Sequence, residues 1–68
     1  MPRCLSSDEV VKLLTTNGFV FVSQRGSHQK YRAASGRMVI VPAGRREIPV
    51  GTIISIRKQS GLDRSLFQ

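Results

Sequence analysis

The sequence predicts an α+β fold ordered helix, three antiparallel strands, helix, with both helices packed on one face of a small sheet. Three observations predict it: a fully signalled helix at residues 5–18, three short β-branched runs divided by glycine turns, and a second helical stretch opened by Pro49 and stopped by Gly61. With 68 residues the chain is expected to form one domain spanning residues 1–68, because so short a chain buries only about 60% of its unfolded surface. Tryptophan is absent, so Val, Ile and Leu must supply most of the core. Function is then expected on an open surface rather than in a deep cavity.

The first helix begins at Ser6 and Glu9, which have the S-x-x-E spacing of a capping box, with Leu5 and Val10 at the staple positions. Val10, Leu13 and Leu14 form its apolar stripe, Asp8 and Glu9 sit at the positive end of its dipole, and Asn17-Gly18 ends it. Phe19 to Gln24 reads as a strand broken by Gly26-Ser27, and His28 to Ala33 as a second. Ser35-Gly36 turns the chain into a third strand, Arg37 to Val41, closed by Pro42. After a basic loop, Pro49 fits the first position of a helix ending near Ser60. Its apolar residues Val50, Ile53, Ile54 and Ile56 span a wide arc that includes Arg57, which would either run its stem along the core edge or pair with an acid. Asp63 to Phe67 is expected to be a terminal turn returning Leu66 and Phe67 to the core.

Eleven Lys and Arg against four Asp and Glu give a formal net charge of +7, which calls for a polyanionic partner. No apolar run approaches the roughly 20 residues of a membrane span, and Met1 to Leu5 is too short for a signal peptide. Cys4 is the only cysteine, so no internal disulfide or paired zinc spacing is possible. A cytoplasmic, reducing location is the expectation.

No acid occurs between Glu9 and Glu47, while Lys12, Arg25, Lys30, Arg32, Arg37, Arg45 and Arg46 all fall there. The four acids each have a place near a helix end, which leaves none for a catalytic carboxylate pair or a metal cluster. No metal and no cofactor are expected. Phosphodiester cleavage by such a chain would rely on positioned acid and base groups and on cations, a chemistry that suits RNA because its 2′-hydroxyl can act as nucleophile.

The period of two puts His28, Lys30 and Arg32 on one face of the second strand and Gln29, Tyr31 and Ala33 on the other. The first set places a proton-transfer group beside two cations; Tyr31 goes to the core. Gly26 and Ser27 are small enough to let a phosphate approach the backbone, and Arg25 precedes them. Arg45 and Arg46 lie just upstream of the Pro49-Val50-Gly51-Thr52 helix start, whose free N–H groups could hold a phosphate. The plain alternative is a solvated basic strand face with a histidine that merely ends a turn.

Asn17-Gly18-Phe19, Arg25-Gly26-Ser27-His28-Gln29-Lys30-Tyr31-Arg32, Gly36-Arg37, Val41-Pro42, Gly51-Thr52 and Lys58-Gln59-Ser60-Gly61-Leu62 together resemble the HicA family of bacterial toxins. The resemblance covers nearly the whole chain, and its G-S-H-x-x-Y-R segment is the most specific part. It implies a fold like the double-stranded RNA-binding domain, mRNA cleavage independent of the ribosome, and inhibition by a HicB antitoxin. The family's catalytic histidine falls on His28. Many members carry another histidine shortly after the Val-Pro pair, where this chain has Ala43-Gly44-Arg45-Arg46, and Arg57 replaces a usually apolar residue.

The expected function is that of an endoribonuclease toxin with His28 catalytic and Arg25, Ser27, Lys30, Arg32, Arg45 and Arg46 binding RNA. A HicB-like antitoxin would cover the basic face. The rivals are a non-catalytic RNA-binding module of the same fold and, more remotely, a DNA-binding repressor subunit. The second helix offers that last role only Arg57, Lys58 and Gln59 as polar readers.

Overall fold

The computed structural model describes residues 4–67, so the expectation about the leading residues Met1 to Arg3 lies outside it. Helix α1 (Ser7–Thr16), strands β1 (Phe19–Arg25), β2 (His28–Ala33) and β3 (Met38–Pro42), and helix α2 (Val50–Ser60) follow in the expected order. The three strands form an antiparallel sheet in the order β1-β2-β3. This is the α+β arrangement of the double-stranded RNA-binding domain.

At the start of α1, the Ser6 hydroxyl accepts from the Glu9 N–H at 3.1 Å, and the Glu9 carboxylate accepts from the Ser6 N–H at 3.0 Å. Two donors that a helix start leaves unpaired are thereby satisfied. Leu5 and Val10 are both buried, as a staple requires. Leu5 also forms an isolated antiparallel bridge with Ile48, accepting its N–H at 2.7 Å. That bridge ties the segment entering α1 to the segment entering α2.

One sheet face carries Phe19, Tyr31, Val39 and Val41 into a core shared with Val10 and Leu14 of α1, Ile53 and Ile56 of α2, and Phe67. Phe21 meets Tyr31 edge-on, ring centroids 5.8 Å apart at 77°, a favoured aromatic geometry. A bulge between Phe21 and Ser23 shifts the register of β1, after which Ser23 faces Lys30 and Arg25 faces His28. On the β3 side, His28 faces Pro42 and Lys30 faces Ile40. The face away from the core therefore presents His28, Lys30 and Arg32 between Ser23 and Arg25 on one flank and Met38, Ile40 and Pro42 on the other.

The two edges of the sheet differ. Along β3, the outward N–H of Ile40 donates to the Gln59 side-chain oxygen at 3.1 Å, and the carbonyl of Pro42 accepts from the Ser7 hydroxyl. Pro42 has no N–H to leave unpaired. Along β1, Val20, Phe21 and Val22 are exposed.

Helix α2 is narrower in its core contact than its apolar arc suggests. Ile53, Ile56 and Ser60 are buried, while Val50 and Ile54 are exposed. Pro49 is the residue before the helix rather than its first position, and Gly61 ends it in the left-handed region at φ 71°. Any other residue at Gly61 would be strained there, and its Cβ would fall 2.6 Å from the Arg37 guanidinium. Arg57 is half-buried and contributes, behind Arg64 and the nearer hydrogen bonds, to keeping the Asp63 carboxyl below its ordinary range; the largest cause is the Ser65 N–H that it accepts. Phe67 returns to the core as expected, but Leu66 is exposed. A 3-10 turn at Arg64–Phe67 sets neighbouring side chains about a third of a revolution apart, so both cannot point inward.

Candidate nucleic-acid interface

His28 begins β2 immediately after a two-residue turn, Gly26-Ser27. Gly26 has φ +59° and Ser27 does not share a positive φ, the pattern of hairpin turns whose first loop residue must be glycine. The turn is held from two directions. The Ser27 carbonyl accepts from the Ala43 N–H at 2.6 Å, which fastens it to the loop after β3. From the core side, the Tyr31 hydroxyl donates to Gln29 at 3.1 Å, the Gln29 amide donates to Gln24 at 3.2 Å, and the Gln24 amide donates to the Gly26 carbonyl at 2.9 Å. Burial pushes the Tyr31 phenol up, so it remains a donor at neutral pH.

The loop after β3 is fastened in turn by Ser7. Its N–H donates to the Arg45 carbonyl at 2.9 Å and its hydroxyl accepts from the Arg45 N–H at 2.9 Å, besides donating to Pro42. Ser7 is 4% exposed and fully bonded. Nothing in the sequence separated this serine from an ordinary first-turn residue, because all its partners lie more than thirty residues away.

His28 is exposed and sits where two shallow clefts meet. The first, about 290 Å³, is lined by Ser23, Arg25, His28, Lys30 and Ile40. The second, about 320 Å³, runs between β3 and α2; His28 and Ile40 line it as well, together with Pro42, Arg45, Thr52, Ser55 and Gln59 among others. Of the residues singled out in the sequence, Arg25, His28 and Lys30 thus come together, and Arg45 approaches His28 across the second cleft. Arg32 shares the face but lies beyond both clefts, and Ser27 and Arg46 line neither. Ser23, Ile40 and Ser55 are additions that only the fold reveals, and Thr52 and Gln59, noted in the sequence on the second helix, are brought beside His28 by it.

The arrangement is an imidazole on an open ridge with cations on either side and no carboxylate lining either cleft. Among the described residues, no three His, Cys, Asp or Glu side chains gather as a metal site would need, and no helix is long and apolar enough to cross a membrane. Such a surface can bind phosphodiester groups through Arg25, Lys30 and Arg45 and place a proton donor or acceptor against one of them.

Comparison with curated proteins gives no match. The family profile described as HicA toxin of bacterial toxin-antitoxin systems, in contrast, matches residues 7–62. That stretch includes both clefts and every residue discussed around His28, and by this match the chain belongs to the HicA toxin family, the toxin side of bacterial toxin-antitoxin pairs.

Proposed function

We propose that this toxin is an endoribonuclease that cuts mRNA without a metal ion, with His28 as its general acid or base. The observation that carries the reading is the position of His28 at the meeting point of two clefts, with Arg25 and Lys30 in one and Arg45 in the other. In the reaction, the substrate's 2′-oxygen attacks phosphorus as the bond from phosphorus to the 5′-oxygen breaks. A proton leaves the 2′-hydroxyl and one must reach the 5′-oxygen. His28 performs one of these transfers, and Arg25 and Lys30 stabilise the charge that develops on the phosphoryl oxygens. The partner is a HicB-like antitoxin whose acidic contact surface covers His28, Lys30 and Arg32, since burial of this basic face calls for opposite charge.

The test pairs cleavage with binding on one long RNA, in the presence of chelator. Wild-type protein is expected to cut it, to spare a 2′-deoxy counterpart, and to leave 2′,3′-cyclic phosphate ends. His28→Ala should lower the cleavage rate by about 10²- to 10⁴-fold while keeping most of the RNA affinity, which the cations dominate. Cleavage at the wild-type rate by His28→Ala, or loss of cleavage on chelation, would remove this mechanism. Equal loss of binding and cutting would favour a non-catalytic RNA-binding module.

A further inference from the structure

We propose that the cleft between β3 and α2 is a base-binding subsite, in which Thr52, Ser55 and Gln59 select the nucleotide beside the bond that is cut. The proposal rests on the ribonuclease reading above and adds to it the source of its sequence preference.

The two clefts that meet at His28 differ in chemistry. The first has two cations, Arg25 and Lys30, among its lining residues, which suits it to phosphate. The second has one cation, Arg45; its lining sets the apolar side chains of Ile40, Pro42, Pro49 and Ile56 among polar groups, two hydroxyls, an amide and the His28 imidazole. Apolar side chains mixed with hydrogen-bonding groups are what an unstacked base requires, because its faces seek nonpolar contact and its edge seeks hydrogen bonds.

The two hydroxyls and the amide come from one side of α2. Thr52, Ser55 and Gln59 are spaced three and four residues apart, which aligns them along a single helix face. Hydroxyls within helices commonly turn back onto a carbonyl of the preceding turn. Two in this chain do so: Thr15 donates to the Lys12 carbonyl at 3.1 Å and Ser60 to the Arg57 carbonyl at 2.9 Å. The hydroxyls of Thr52 and Ser55 have no such bond among the described residues, and both line the cleft. Gln59 spends its oxygen on the Ile40 N–H, which fixes the amide and leaves its NH2 group as a donor. The chain therefore keeps three hydrogen-bonding groups, one of them held in orientation, in the cleft that its candidate catalytic imidazole also lines.

The experiment sequences the cut ends produced from an RNA pool randomised in sequence and, in parallel, measures binding of short RNAs that differ in one central base. Wild-type protein is expected to prefer particular bases at one position adjacent to the cut. Thr52→Val and Ser55→Ala should each reduce that preference by about five- to tenfold, the worth of one hydrogen bond. Gln59→Glu keeps an oxygen for the Ile40 N–H but exchanges the donor for an acceptor. It should move the preference from bases offering a carbonyl oxygen toward adenine and cytosine, which offer an amino group. Ile54→Ala, on the same helix but outside the cleft, should leave the preference unchanged. Cutting without base preference by wild-type protein, or the same preference in Thr52→Val, Ser55→Ala and Gln59→Glu, overturns the subsite. If wild-type protein cuts no RNA, the ribonuclease reading fails and the binding measurement decides alone: base-selective binding altered by Gln59→Glu supports the subsite, and base-blind binding overturns it.

Discussion

Helices α1 and α2 are nearly equal in length, ten and eleven residues, but they divide their side chains differently. α1 has a complete capping box, Asp8 and Glu9 in its first turn, and Val10 and Leu14 deep in the core. α2 has no side-chain cap, no acid in its first turn, and only Ile53 and Ile56 as fully buried apolar residues. An acid in the first turn would favour the dipole of α2, but it would also lie next to Gly51 and Thr52, which line the same cleft as Arg45 and His28. The local features that make α1 a strong helix are those that α2 lacks on the side facing the candidate site. Real proteins break local rules most often where function competes with stability, and the contrast between these helices marks that side of the molecule.

Substitutions on the two helices should separate accordingly. The largest stability effect is expected from Leu14→Ala, which empties a fully buried position of α1; thermal or denaturant unfolding should show a loss of about 2–5 kcal/mol. Folded Leu14→Ala protein at low temperature should retain the wild-type cleavage pattern, and a changed pattern would break the division between the helices. Ser6→Ala removes the cap hydroxyl and one half of the reciprocal pair with Glu9. It should cost about 1 kcal/mol, measured in the same way, and a neutral result would mean that the box adds nothing to the staple. The smallest effect sharpens the comparison most. Val50→Asp places a carboxylate at an exposed position in the first turn of α2 and should raise stability by about 0.3–1 kcal/mol. The same substitution should weaken equilibrium binding to RNA at low salt. A variant that is more stable and binds RNA equally well would show that the missing acid has no functional cause.

The features legible in the sequence are those encoded by neighbours. The cap at Ser6 and Glu9, the turn at Gly26-Ser27 and the alternation that puts His28 with Lys30 and Arg32 are all local patterns, and the structure contains each of them. The second cleft is not local. It is assembled from β2, β3, the loop at Arg45 and one face of α2, and its existence depends on where α2 lies against β3. Arg45 and Arg46 are indistinguishable in the sequence, yet only Arg45, whose backbone is fixed on Ser7, lines that cleft. Tyr31 was legible as a core residue from its strand face, but its hydroxyl's link through Gln29 and Gln24 to the His28 turn depends on cross-strand register that the bulge in β1 alters.

The closure of the β3 edge bears on how copies of this chain can associate. Open strand edges invite pairing with other chains, and a sheet with two of them can add copies without limit. Here Gln59 takes the Ile40 N–H, Ser7 takes the Pro42 carbonyl, and Pro42 offers no donor, so part of the β3 margin is capped, whereas Val20, Phe21 and Val22 stand exposed along β1. A second strand pairing along β3 would first have to displace Gln59 and Ser7, whereas one pairing along β1 would displace neither.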